Sequence, residues 1–255
     1  MAANDIEKAL TVFQGIGDRD GDVATRYMHP TKYKPHNAQV ADGIAGVKEW
    51  IRQLSDEKSS LRTVRAFQDG PYVYTNTEGN VLGDKVFFDI FRFEGGLIVE
   101  HWAFKEEAAP PNKSGHTQLD GPIHAKHLQD TEKNKSFVRG YYETVHLAGN
   151  HEKIPQYISS DHVRHEPDVS DGVAAFLQDL ASFNQPGKPS RTIDKIKLLF
   201  GHGDLVFVGA TGTLEGDPCF YVDLYRADGD KLVEHWGFMD KVPAPEKLKN
   251  SNGVL

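Results

Sequence analysis

Two aspartates and four histidines carry the chemistry this chain is equipped to do. Asp89 and His101 lie in VFFDIFRFEGGLIVEHWAF, residues 86–104, and Asp223 and His235 lie in FYVDLYRADGDKLVEHWGF, residues 220–238. His36 and His165 each stand six residues ahead of an aspartate that precedes glycine, Asp42 and Asp171. A carboxyl set among phenylalanines is hard to ionise, because burial disfavours its charged form. An imidazole titrates near neutrality and suits general base work. These residue types therefore point to acid/base chemistry. Other chemistries lack their marks. The chain has no Gly-rich phosphate loop, no dinucleotide fingerprint, no G-x-S-x-G elbow and no helical H-x-x-x-H pair with a nearby Glu. H-x-x-H at His162 and His165 is a weak metal hint, and no metal site or cofactor is expected.

Strand alternation decides which side chains can meet. In FFDIFRF, Phe87, Asp89, Phe91 and Phe93 share one face and Phe88, Ile90 and Arg92 the other. In IVEHWAF, Glu100 and Trp102 alternate with His101, and periodicity leaves open which set faces inward. Arg92 with Glu100 reads as an ion pair between neighbouring strands. Trp102 and Trp236 read as packing residues. Asp42 and Asp171 sit where a helix N-cap is expected.

The elements that must position these residues occur twice. Asp89, Arg92, Glu100, His101 and Trp102 return as Asp223, Arg226, Glu234, His235 and Trp236 at one offset of 134 residues. Such a period makes each copy a domain rather than a short repeat. Each half predicts three helices, near 6–13, 23–28 and 47–54, and near 134–146, 154–158 and 176–180. Strands follow at 61–67, 72–77, 193–200 and 205–211, ahead of the two signature hairpins. Helices first and an antiparallel sheet afterwards is an α+β arrangement. We expect a first domain over residues 1–108, a linker over 109–130, a second domain over 131–242 and a C-terminal tail over 243–255.

Composition narrows the partners. At 255 residues and 38% hydrophobic, the chain can bury two cores. A formal charge of −8 argues against nucleic acid and anionic membranes. The lone Cys219 excludes an intrachain disulfide and reads as a small core residue within a strand. With no secretory signal and no apolar span, a cytoplasmic protein is expected.

The signature D-x-x-R…E-H-W, with PHNAQVADGIAG ahead of it, resembles the SnoaL-like polyketide cyclase group of the NTF2-like superfamily over both halves. That resemblance implies two cone-shaped domains, each a curved sheet with helices around one pocket, pairing as a pseudo-dimer within the chain. Further self-association stays open. It implies a cofactor-independent enzyme on a small or medium hydrophobic carbonyl compound: an isomerase, dehydratase or aldol-type cyclase. The alternative is a non-catalytic protein that binds such molecules. The resemblance turns His101 and His235 inward and sets His36 and His165 at the pocket mouths. It makes Asp89 and Asp223 neutral donors to an enolate oxygen, with His36 or His101 as base and His165 or His235 repeating the part. The acid that often follows E-H-W in the group is absent, being Ala103 in one half and Gly237 in the other. After His36 comes Asn37, whereas after His165 comes Glu166.

Overall fold

The computed structural model describes residues 3–55, 57–183 and 191–255. The chain divides into two compact units, Met1–Ala108 with Pro243–Val254 and Ala109–Val242 with Leu255. Each is an α+β unit with helices beside a five-stranded sheet.

In the first unit the order is α1 (Asp5–Asp18), α2 (Gly21–Ala24), β1 (Lys34–Pro35), α3 (Gly43–Arg52), β2 (Leu61–Asp69), β3 (Tyr72–Gly79), β4 (Lys85–Glu94) and β5 (Leu97–Glu107). A capping box starts α1: Glu7 N donates to Asn4 Oδ1 and Asn4 N to Glu7 Oε2, both at 2.9 Å. Such a cap stabilises a helix by about 1 kcal/mol. The helix buries Ala9, Val12 and Phe13 against Val73, Phe91 and Ile98 of the sheet. Gly95 and Gly96 turn β4 into β5 with φ of 58° and 77°, a backbone region costly for other residues. Strand order is β1-β5-β4-β3-β2.

The second unit runs α4 (Thr131–Tyr141), α5 (Ile154–Tyr157), β6 (Ile158–Arg164), α6 (Val173–Phe183), β7 (Arg191–His202), β8 (Leu205–Leu214), β9 (Asp217–Asp228) and β10 (Lys231–Lys241). Its sheet order, β6-β10-β9-β8-β7, repeats the first. A π-helical turn over Tyr142–Leu147 continues α4. The wider turn lets the adjacent Tyr141 and Tyr142 both point inward, each fully buried. Cys219 is buried in β9.

Three differences from the sequence reading have local causes. First, each sheet gains an edge strand that runs parallel to its neighbour: β1 on β5 and β6 on β10. β1 is two residues long and contains Pro35, which suits an edge and hides the strand from a periodicity search. Second, Asp42 occupies the N-cap position of α3 but makes no capping bond. Its Oδ1 instead accepts from Asn252 Nδ2 at 2.6 Å. Third, Asp171 accepts from Arg164 N at 3.0 Å, tying β6 to the chain ahead of α6.

Residues 249–253 lie on the first unit. Lys249 N donates to Ala38 O, and Asn250 Nδ2 to the carbonyls of Asn37 and Val40, each at 2.8 Å. Asn252 Nδ2 also reaches Pro35 O at 2.9 Å. Residues 109–130 pack on the second unit, where Asn112 Nδ2 donates to Arg164 O at 2.7 Å and Trp236 Nε1 to Asp120 O at 3.0 Å.

Candidate active site

Hairpin register builds the site of the first unit. Asp89 opposes Ala103 and Phe91 opposes His101, so Asp89 and His101 share one face on a diagonal. Trp102 and Glu100 take the other face, which resolves the choice that periodicity left open. Asp89 Oδ1 lies 2.8 Å from His101 Nε2. The Phe91 ring stacks on the imidazole at 4.2 Å between centroids. Tyr33, just ahead of β1, places its hydroxyl 3.4 Å from His101 Nδ1.

With Asp89 ionised, Nε2–H donates to Asp89 Oδ1 and Tyr33 O–H donates to Nδ1. Oδ2 of Asp89 is buried and has no hydrogen-bond partner among the described residues. Burial pushes the Asp89 pKa up, against the bond from His101, which pulls it down. Burial also pushes the Tyr33 hydroxyl up, aided by the charge of Asp89.

Asp89 and His101 border a cavity. The space open to the centres of water molecules is about 60 Å3, several times the ~10–15 Å3 that one water needs on that measure. Its walls include Val12, Phe13, Val47, Trp50, Phe87 and Ala103. Three further polar residues reach it: Tyr33, Asn37 and Lys105. Asn37 Oδ1 accepts from Gln39 N at 2.9 Å, which leaves its amide hydrogens to donate elsewhere. Sequence reasoning missed Tyr33 and Lys105 altogether and noticed Asn37 only as a family match.

His36 does not join this cavity. Pro35 pairs with His101 and lines the wall, so the next residue points to the opposite face. There His36 stacks on Trp102 at 4.4 Å, and its Nδ1–H donates to Gly253 O at 2.9 Å. Burial lowers its pKa, against Gly253 and Glu100, which raise it. Arg92 pairs with Glu100 and Arg226 with Glu234, the latter at 2.6 Å.

The second unit brings Asp223 and His235 together in the same way, with Oδ1 and Nε2 at 2.7 Å. The surroundings differ. Tyr142 O–H donates to Asp223 Oδ2 at 2.6 Å, so both carboxylate oxygens are taken. His235 Nδ1 lies 2.9 Å from Glu166 Oε1, at the position that corresponds to Asn37. Burial disfavours charge on His235, but Glu166 and Asp223 outweigh it and push the pKa up to about 9. Burial would likewise raise Glu166, yet the His235 charge and Arg164 hold it well below the usual carboxylate range. The ring thus favours its charged form, held by Glu166 on one nitrogen and Asp223 on the other. Gly237 is required beside it: a Cβ there would lie 2.8 Å from Asp223 Oδ1 and 2.9 Å from His235 Nε2.

His165 repeats His36. It stacks on Trp236 at 4.5 Å, with Nε2 2.9 Å from Glu234 Oε1 and Nδ1 2.8 Å from Thr117 O. His116, Asp120 and His165 bring atoms of metal-ligand type within 4.8 Å of one another. Both ring nitrogens of His165 already face acceptors, Thr117 O and Glu234 Oε1, so an ion there would have to displace one of those contacts.

No family model matches the chain, and no curated protein matches it. Among solved structures it is similar to an NTF2-like protein of unknown function from Cytophaga hutchinsonii, at 11% identity and TM-score 0.37, over 42% of this chain and 93% of that one. It is also similar to TsrD from Streptomyces laurentii, at 20% identity and TM-score 0.34, over 42% of this chain and 91% of that one. A third is TerC, co-crystallised with polyporic acid, at 19% identity and TM-score 0.34, over 40% and 91%.

Proposed function

We propose that the first unit is a cofactor-independent acid/base catalyst acting on a small or medium hydrophobic carbonyl compound, in the isomerase, dehydratase or aldol-type cyclase class. One observation carries this reading: Asp89 lines the cavity, and its Oδ2 has no hydrogen-bond partner among the described residues, while Oδ1 is held by His101. A desolvated carboxylate with one oxygen free is a strengthened base.

The proton balance closes on these side chains. Asp89 Oδ2 takes the proton next to the carbonyl, and the electron pair moves onto the carbonyl oxygen. The Asn37 amide donates to that oxygen as it gains charge. Asp89 then returns the proton to a neighbouring carbon, to a departing hydroxyl, or to the alkoxide formed by ring closure. His101 stays bonded to Oδ1, its tautomer set by Tyr33. The resemblance implies the opposite roles, with Asp89 as donor and His101 as base. Both nitrogens of His101 are engaged and Oδ2 is not, which favours the carboxylate. In the second unit every corresponding atom of Asp223 and His235 is engaged, so we assign turnover to the first alone.

The test needs no knowledge of the substrate. Enolisation of 2-acetylnaphthalene in D2O, read by mass spectrometry as methyl hydrogen exchange, should be accelerated by the full chain. Asp89→Asn should lower that rate by about 100-fold or more, and Asp223→Asn should leave it within a few-fold. Equal rates for wild type and Asp89→Asn would sink the catalytic reading and leave a binding protein.

A further inference from the structure

Lys105 is the one lining residue of the cavity that brings a positive charge without a carboxylate to meet it among the described residues. It lies on β5 four residues beyond His101, on the same strand face, so the two Cα atoms are about 13 Å apart along the strand. Its ammonium makes a single long contact, to Gln39 Oε1 at 3.5 Å. Nearby Lys85 is already paired with Glu107. Burial lowers the Lys105 pKa, and the charge of Lys85 lowers it further, against Glu107. A lysine that merely lays its stem along an apolar wall keeps its head fully in water. This one has lost part of its hydration and makes no ion pair among the described residues, Glu107 offsetting the loss only from a distance.

We propose that the ligand of this cavity is an apolar carbonyl compound with an anionic group at its far end, held by Lys105 while the carbonyl lies against Asp89 and Asn37. The proposal rests on the catalytic cavity described above and names its substrate class. The separation sets the ligand's length: carbonyl and anion stand roughly 10 Å apart, about the span of two fused aromatic rings, and because the space at Asp89 is only about 60 Å3 the rings extend out of it toward Lys105. The polarity also fits. The interior end holds a carboxylate that would repel a second one, so an acidic ligand enters with its charge outward.

A matched pair of probes tests this on the full chain: 6-acetyl-2-naphthoate and its primary amide, alike in shape and different in charge. Calorimetric titration should show the carboxylate bound about fivefold more tightly. Lys105→Met should weaken the carboxylate to within twofold of the amide and leave the amide unchanged. Lys105→Arg should restore the preference. Ala103→Leu, which fills the wall beside Asp89, should weaken both. A preference that survives Lys105→Met overturns the assignment of the anion while leaving the cavity reading in place. Failure of wild type to bind either probe, or binding indifferent to Ala103→Leu, overturns the cavity reading and the proposal with it. Thermal melts of each variant exclude loss of fold as the cause.

Discussion

Asp89 and Asp223 occupy equivalent strand positions and live in different electrostatic worlds. Asp89 has one histidine bond and a bare oxygen, whereas Asp223 has a histidine, a tyrosine and a second carboxylate arranged around the same imidazole. The folded pKa of Asp89 is raised, so the native state binds its proton more tightly than the unfolded chain does. Its effect on stability is then most favourable at low pH and is lost as pH rises from the unfolded value to the folded one. At neutral pH, above the unfolded value, the buried carboxyl works against folding. Asp89→Asn should therefore raise Tm at pH 7 while removing activity, and wild-type exchange should fall as pH drops through the raised pKa. His162 runs the other way. Burial and the charge on His235 push its pKa down to about 4. Between about 6.5 and 4 the unfolded chain takes up a proton that the native ring refuses, costing up to about 1.4 kcal/mol per pH unit. Denaturant midpoints of His162→Gln should show a shallower slope in that window, whatever the absolute stability. The aspartate and histidine of each signature block were legible as chemistry from their types. Their freedom to react was not, since it depends on Tyr33, Asn37, Tyr142 and Glu166 from other elements.

At the scale of elements, the long helices and the eight antiparallel strands follow from hydrophobic period and from glycine turns such as Gly95–Gly96. The parallel edge strands do not. Two residues, one of them proline, carry no period, yet this edge sets Tyr33 under His101 and sends His36 to the far face. The caps expected at Asp42 and Asp171 failed for a related reason, because both side chains found partners distant in sequence or on another element. The β3–β4 turn offers a prediction of its own. Leu82 has φ of 62°, is 49% exposed and lines the cavity. A leucine in that conformation costs about 1–2 kcal/mol. Asn or Gly is the residue the backbone favours there, so keeping leucine suggests a use for its side chain at the ligand. Leu82→Asn should raise the unfolding free energy by about 1 kcal/mol, read by denaturant titration, and weaken both naphthyl probes.

Across the whole molecule, duplication has produced two sheets of identical strand order and two unlike centres. The doubling was plain from the repeated block. The difference between the two centres was not, because the replacement of Asn37 by Glu166 matters only once register sets that residue beside an imidazole. The first unit is also discontinuous in the chain, closed by the segment at 249–253. Asn250 and Asn252 hold the backbone of Pro35, Asn37 and Val40, three residues of the cavity wall. The double variant Asn250→Ala with Asn252→Ala should lower Tm, at about 1 kcal/mol per lost bond, and should weaken probe binding without altering probe preference.

That closing segment leaves the ribosome only after all of the second unit. The first unit, though translated before the second, is thus the later of the two to have its wall secured. A nascent chain stalled anywhere within the second unit would lack the amides of Asn250 and Asn252 that hold Pro35, Asn37 and Val40.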